Sequence, residues 1–169
     1  MGVIYNGLNQ VNWLDDPFND YDGKIGIELH GTSSLIYDKK NFSIETRNED
    51  GTYNNVELVG LPKENDWILH GAYSDKSLLR NAISYYWGRQ TGRYAPRTQI
   101  CEIFINEEYR GLYLLTEKIK VDNDRVDIAN LTLEDIEGDQ LTVGYIIKID
   151  RNTENVPDIG WDSSFPDNK

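Results

Sequence analysis

Residues 94–120, YAPRTQICEIFINEEYRGLYLLTEKIK, decide how the rest of the chain is read. From Thr98 to Ile105 the residues alternate, with Cys101, Ile103 and Ile105 on one side and Ile100, Glu102 and Phe104 on the other. A period of two, rich in β-branched and aromatic residues, is the pattern of a strand. Asn106-Glu107-Glu108 breaks it with turn-tolerant polar residues, and Tyr109 to Ile119 runs back as a second strand. Leu112-Tyr113-Leu114-Leu115 is apolar without interruption, which predicts burial on both faces and a hairpin in the middle of a sheet. The polar tail Thr116-Glu117-Lys118 ends the buried run at a position where side chains can meet a ligand.

Upstream of the hairpin the pattern changes to a helical one. Leu78/Leu79, Ala82/Ile83 and Tyr86/Trp87 recur at a four-residue step, predicting a helix over Asp75–Gln90 with one apolar stripe. Ser74 or Asp75 can accept hydrogen bonds from the free amides of its first turn. Arg89 and then Gly92 suit its C-terminal end.

Further upstream the chain reads as strands. Lys24–His30 alternates with Ile25, Ile27 and Leu29 on one face, Gly31-Thr32-Ser33-Ser34 is a turn, and Phe42 and Ile44 point inward from the next strand. Asn48-Glu49-Asp50-Gly51 is a hairpin signal from which Tyr53–Val59 returns. Gly60-Leu61-Pro62 starts a loop, and Trp67–Leu69 is a short strand. Residues 1–23 form an N-terminal arm. Downstream, Asp122–Asp139 is an acidic connector anchored by Leu131, Leu133 and Ile136, Val143–Ile149 is a last strand, and 151–169 is a polar tail. Runs of strands around one helix, without alternating βαβ units, predict an α+β fold with an antiparallel sheet and one main packed helix.

The chain has 169 residues, one domain of ordinary size, and 11 Tyr, 4 Trp and 4 Phe give its core large contact areas. Its 29 acidic against 17 basic side chains give a formal charge of −12, which argues against a nucleic acid or an anionic membrane as partner. No run approaches the roughly 20 apolar residues of a membrane helix, so no membrane insertion is expected. MGVIYNGLNQ lacks the charged and apolar segments of a signal peptide, and Asn6 breaks the myristoylation pattern. The single cysteine, Cys101, alternates with Ile103 and Ile105 and reads as a small buried apolar residue.

Standard nucleotide signatures are missing: neither G-x-x-x-x-G-K-[ST] nor G-x-G-x-x-G occurs. The nearest thing to a phosphate cradle is the turn holding Ser33 and Ser34, whose hydroxyls and amides can bond phosphate oxygens. Lys40 shares the parity of Phe42 and Ile44, so it can point over that turn and neutralise phosphate charge, with Lys39 beside it. An ordinary turn with two solvated lysines is the alternative. Asp122, Asp124 and Asp127 fail the calcium-loop template because Val126 and Ile128 stand at the next ligand positions. His30 and His70 lack a paired ligand pattern, and Ser33 or Ser34 lacks a nucleophile elbow.

Six ordered motifs over residues 24–150 resemble the CotH family, spore-coat protein H and its relatives. They are Gly31–Ser34 through Lys39-Lys40-Asn41-Phe42, Tyr73-Ser74-Asp75 with Leu78-Leu79-Arg80-Asn81, and Tyr94-Ala95-Pro96-Arg97-Thr98. Asn106–Gly111 with Leu115-Thr116-Glu117-Lys118, Arg125-Val126-Asp127-Ile128 and Gly144-Tyr145-Ile146-Ile147 follow. The resemblance implies an atypical protein kinase fold, a small sheet lobe with one helix, a hinge and a larger lobe. Here the small lobe would run to about residue 120 and the large lobe would open over 121–150. It implies ATP with Mg2+ or Mn2+ between the lobes, a protein partner phosphorylated on Ser or Thr, and a spore-coat, exported or cell-surface location. Carried over, Lys40 becomes the lysine on the nucleotide phosphates, with Ser33, Ser34, Lys39 and Arg80 around it. Glu117, at the hinge, is a candidate to pair with that lysine or the metal.

The family's metal-holding and acceptor-side carboxylates belong to motifs downstream of the matched segment, and nothing from Asp150 to Lys169 resembles them. The expectation is therefore a truncated kinase domain that binds nucleotide but does not turn over alone. His30 departs from the arginine frequent at its position, and Val143 from a glycine. The rival reading is a non-catalytic surface module that uses the Tyr- and Trp-rich scaffold for protein contacts. A carbohydrate-associated accessory domain, suggested by the aromatics, is a third.

Overall fold

The computed structural model describes residues 1–129 and, beyond them, 132, 136–138, 142 and 144–147. In chain order the strands are β1 (Gly2–Val3), β2 (Tyr21–Asp22), β3 (Lys24–His30), β4 (Asn41–Arg47), β5 (Val56–Leu58), β6 (Leu61–Glu64) and β7 (Asp66–His70). The helix α1 (Arg80–Gln90) separates them from β8 (Thr98–Ile105) and β9 (Glu108–Glu117). Five strands make one antiparallel sheet in the order β3-β4-β7-β9-β8. The described residues are thus mostly antiparallel sheet with one helix, the α+β class expected from the sequence.

The hairpin lies one strand further out than its composition suggested. β9 is interior, between β7 and β8, and its Tyr113–Glu117 stretch is buried throughout. β8 is the sheet edge: Ile100 and Phe104 on its second face are close to half exposed. The connecting turn places Asn106 and Glu107 at φ 51 and 67. Two consecutive left-handed residues match the right-handed twist of the flanking strands.

Two features upstream depart from expectation for one reason. Both edges of β4 are taken, by β3 and β7, so the segment after the Asn48–Gly51 turn has no free edge to join. Tyr53 bridges back to Arg47 and the Asn54 amide donates to the Thr46 carbonyl, beyond the stretch that β7 covers, and the return goes no further. Val56–Leu58 pairs instead with Leu61–Glu64, so the predicted loop at Gly60-Leu61-Pro62 is in part a strand. Val59 and Gly60, both at positive φ, make the turn. This small hairpin and the β1–β2 arm cover one face of the sheet. Leu58, Leu61 and Tyr21 close over Ile44, Trp67, Leu69, Tyr113 and Leu115 in a single core. Burial of these side chains, roughly 1.5–3 kcal/mol each, is the main driving force of the fold.

The helix is shorter than its periodicity predicted, Arg80–Gln90 in place of Asp75–Gln90. Leu78 sits at φ 59, a left-handed conformation that a helix cannot continue through. Asp75 nevertheless serves the helix start, because its Oδ2 accepts the Arg80 amide at 2.9 Å while Oδ1 accepts that of Ser77. The apolar pairs are split between faces. Ala82 and Tyr85 are partly buried, whereas Leu79, Ile83, Tyr86 and Trp87 form an exposed stripe.

Beyond β9, Val121 and Val126 form a short parallel bridge. Residues 144–147 carry no strand, and the rest of the predicted strand Val143–Ile149 lies outside the described residues. So do Asp150, the anchors Leu131 and Leu133, and the polar tail, while Ile136 is exposed.

Candidate functional site

Lys39 and Lys40 are the first chemistry on the sheet, and their neighbours along the chain explain where they point. Ser33 and Ser34 do not form an open turn but begin a short 3-10 helix, Ser33–Ile36. Lys40 closes its C-terminal end: its Nζ donates to the carbonyls of Leu35 at 2.7 Å and Tyr37 at 2.6 Å. Lys39 reaches across the sheet, donating to the Leu112 carbonyl and lying 4.6 Å from the centre of the Tyr113 ring. Partial burial holds its ammonium below the ordinary lysine value. Both lysines line an open groove of about 730 Å³, together with Arg110, Phe42, Tyr109 and Tyr113. Glu28 and Asp38 line it too, so three cationic side chains meet two carboxylates between aromatic walls, a set that can take a ligand with a flat ring and an anionic group.

The other candidate residues are elsewhere. Ser34 hydrogen-bonds the His30 carbonyl at 3.4 Å, and neither serine lines the groove. Arg80 is exposed at the helix start, 3.4 Å from Asp75. Glu117 does not pair with Lys40. Its side chain is fully buried, and Oε1 accepts from Arg97 Nε at 2.7 Å and Arg125 Nη1 at 2.5 Å. Oε2 accepts the Arg97 amide at 2.8 Å and the Tyr94 hydroxyl at 3.3 Å. Burial and the neighbouring Glu117 charge push the Tyr94 phenol well above its usual value. The Arg125 guanidinium stacks 5.0 Å from the Trp67 ring centre, and its Nε and Nη2, like Trp67 Nε1, have no hydrogen-bond partner among protein atoms.

Sequence reasoning missed Tyr94, Arg97 and Arg125, although each stood inside a motif already singled out. The available signal was the recurrence of basic residues flanking one carboxylate. Their convergence needs a contact between positions 20 and 8 residues from Glu117.

Next to this knot lies a more exposed network. Lys120 bridges Asp66 at 2.8 Å and Glu64 at 2.9 Å, and Lys118 meets Asp66 at 3.1 Å. Burial raises the Asp66 carboxyl, but the two ammonium groups outweigh it and hold the group below its ordinary value. Cys101 is partly buried against the core, short of the full burial expected from the sequence, and burial pushes its thiol up to about 11. Among the described residues no three His, Cys, Asp or Glu side chains stand together as a metal site.

His30 and His70 end β3 and β7, the two strands that flank β4, and His30 Nδ1 lies 2.9 Å from Ser43 Oγ. Burial lowers both rings. The charge of Lys118 adds to the shift of His30, and His30 itself to that of His70. A base lowered by folding binds fewer protons in the fold than in the unfolded chain. Stability should therefore rise with pH through the window just below 6.5 and fall as pH drops across it. Lowering pH from about 7.5 to about 5.5 is expected to reduce Tm. Replacing both histidines by glutamine should flatten that dependence. An unchanged slope in a melting series would contradict it.

Comparison with known families then gives one finding. A family model described as CotH kinase protein matches residues 27–169. No curated protein matches the chain.

Proposed function

The chain belongs to the CotH family, and from that premise we propose that it is a nucleotide-binding CotH kinase domain. It takes ATP with Mg2+ or Mn2+, in a family whose γ-phosphate goes to Ser or Thr of a protein partner on a spore coat or cell surface. One observation carries the reading beyond membership: the Lys39–Lys40 pair lines a groove walled by Phe42, Tyr109 and Tyr113. Binding there requires the two ammonium groups to turn from the carbonyls of Leu112, Leu35 and Tyr37 to phosphate oxygens, and the rings offer a stacking surface for a base. Ser33 and Ser34 precede this region along the chain and Arg80 lies at the helix start, none of them lining the groove, and Glu117 belongs to the knot. The phosphate role therefore rests on the two lysines. The described residues supply no three-ligand metal set, so no step is assigned to the metal.

The test is thermal. Saturating ATP with Mg2+ at about 100 times its Kd is expected to stabilise the chain by roughly 2.7 kcal/mol. Lys40→Ala should abolish most of the resulting shift in Tm. A shift of equal size in Lys40→Ala would remove the lysine from the site.

A second reading is favoured by the exposed stripe Leu79, Ile83, Tyr86 and Trp87 on α1. It makes the chain a protein-binding module on the same scaffold. No ATP-dependent shift in the unaltered chain would favour that module.

A further inference from the structure

We propose that the buried Tyr94–Arg97–Glu117–Arg125 knot is a latch that fixes the course of the chain where it leaves the five-stranded sheet. The latch is independent of the nucleotide reading. Three segments meet at one carboxylate: residues 94–97 leading into β8, the last residue of β9, and the loop at 122–126. Glu117 is 1% exposed, and its two oxygens receive four donors from those segments. The backbone closes the same loop, because the Glu117 amide donates to the Arg97 carbonyl and the Arg97 side chain donates to the Asp124 carbonyl.

Apolar packing holds the intervening residues only in part, with Val121 and Val126 half-buried. Ile119 is 55% exposed, whereas Lys118 and Lys120 on either side of it are tied to Asp66 and Glu64. Ion pairs fix the path over 117–126 beside that packing, and the turn Asp122–Arg125 with the Val121–Val126 bridge is held against the sheet through Arg97 and Arg125. A carboxylate that only ended a strand would be left to water. This one is withdrawn from water, and desolvation makes its bonds to guanidinium strong and directional.

The latch is tested on the full chain by hydrogen exchange. Arg97→Gln is the informative variant, because Arg97 is partly exposed and its loss leaves the Arg125–Glu117 pair in place. It is expected to raise exchange at residues 121–126 about tenfold while leaving β4 and β7 unchanged. Limited trypsin digestion should then cut after Lys118 or Lys120 in this variant and spare the unaltered chain. Lys40→Ala should leave both readouts unchanged, whatever it does to nucleotide binding. Unchanged exchange at 121–126 in Arg97→Gln would overturn the latch. So would an increase spread evenly over β4 and β7, which marks a plain loss of stability.

Discussion

Trp67→Ala is expected to lower the unfolding free energy by about 3–5 kcal/mol, the cost of emptying a large buried aromatic site. Trp67 is 0% exposed and sits mid-sheet, in register with Ile44 on one side and Glu117 on the other. Its ring packs in the core and also carries the Arg125 guanidinium on one face. Alanine would remove the packing and the cation's aromatic partner together, and the interior is too constrained to close the space. Trp87→Ala is the control. Trp87 is 65% exposed on α1, and its loss should stay within about 0.5 kcal/mol. Urea denaturation of the two variants measures the contrast, and equal losses would mean that the sheet is not the core.

Glu117→Gln is expected to cost about 3–5 kcal/mol, because it leaves the buried charge of Arg125 without its counter-ion. The change keeps the size of the side chain, so the loss is electrostatic and not steric. The exposed pair Arg110–Glu108, also at 2.5 Å, provides the comparison. Solvent screens it, and Glu108→Gln should cost less than about 1 kcal/mol. Denaturation at neutral pH separates the two. Similar costs would mean that water reaches the knot and that its ions are not desolvated.

How much of this was legible in the sequence varies from element to element. The alternation of Thr98–Ile105 and the apolar run Leu112–Leu115 located the hairpin and the buried strand β9. They could not say that β8 is an edge, because side-chain alternation reports the two faces of a strand and not whether a neighbour hydrogen-bonds to its outer side. The helix was legible, but its start was not. Leu78 is an ordinary helix former, and only the Asp75–Ser77 turn holds it in a left-handed conformation. Ala82 and Ile83 were legible as a pair, but which of them faces the body depends on where α1 lies.

The candidate site divides along the same line. Lys39 and Lys40 were legible because their strand parity and their motif are local. Their partners were not: the carbonyl of Leu112 is 73 residues from Lys39 along the chain. Glu117 was legible as a polar residue closing a buried strand, which leaves open whether it meets a ligand or another part of the protein. Family membership and the α+β class are written in the order and period of neighbouring residues, so the sequence by itself determined both. The role of a charge depends on which distant segments share its burial. Only the tertiary structure gave Lys40 to the end of a short helix and Glu117 to two arginines.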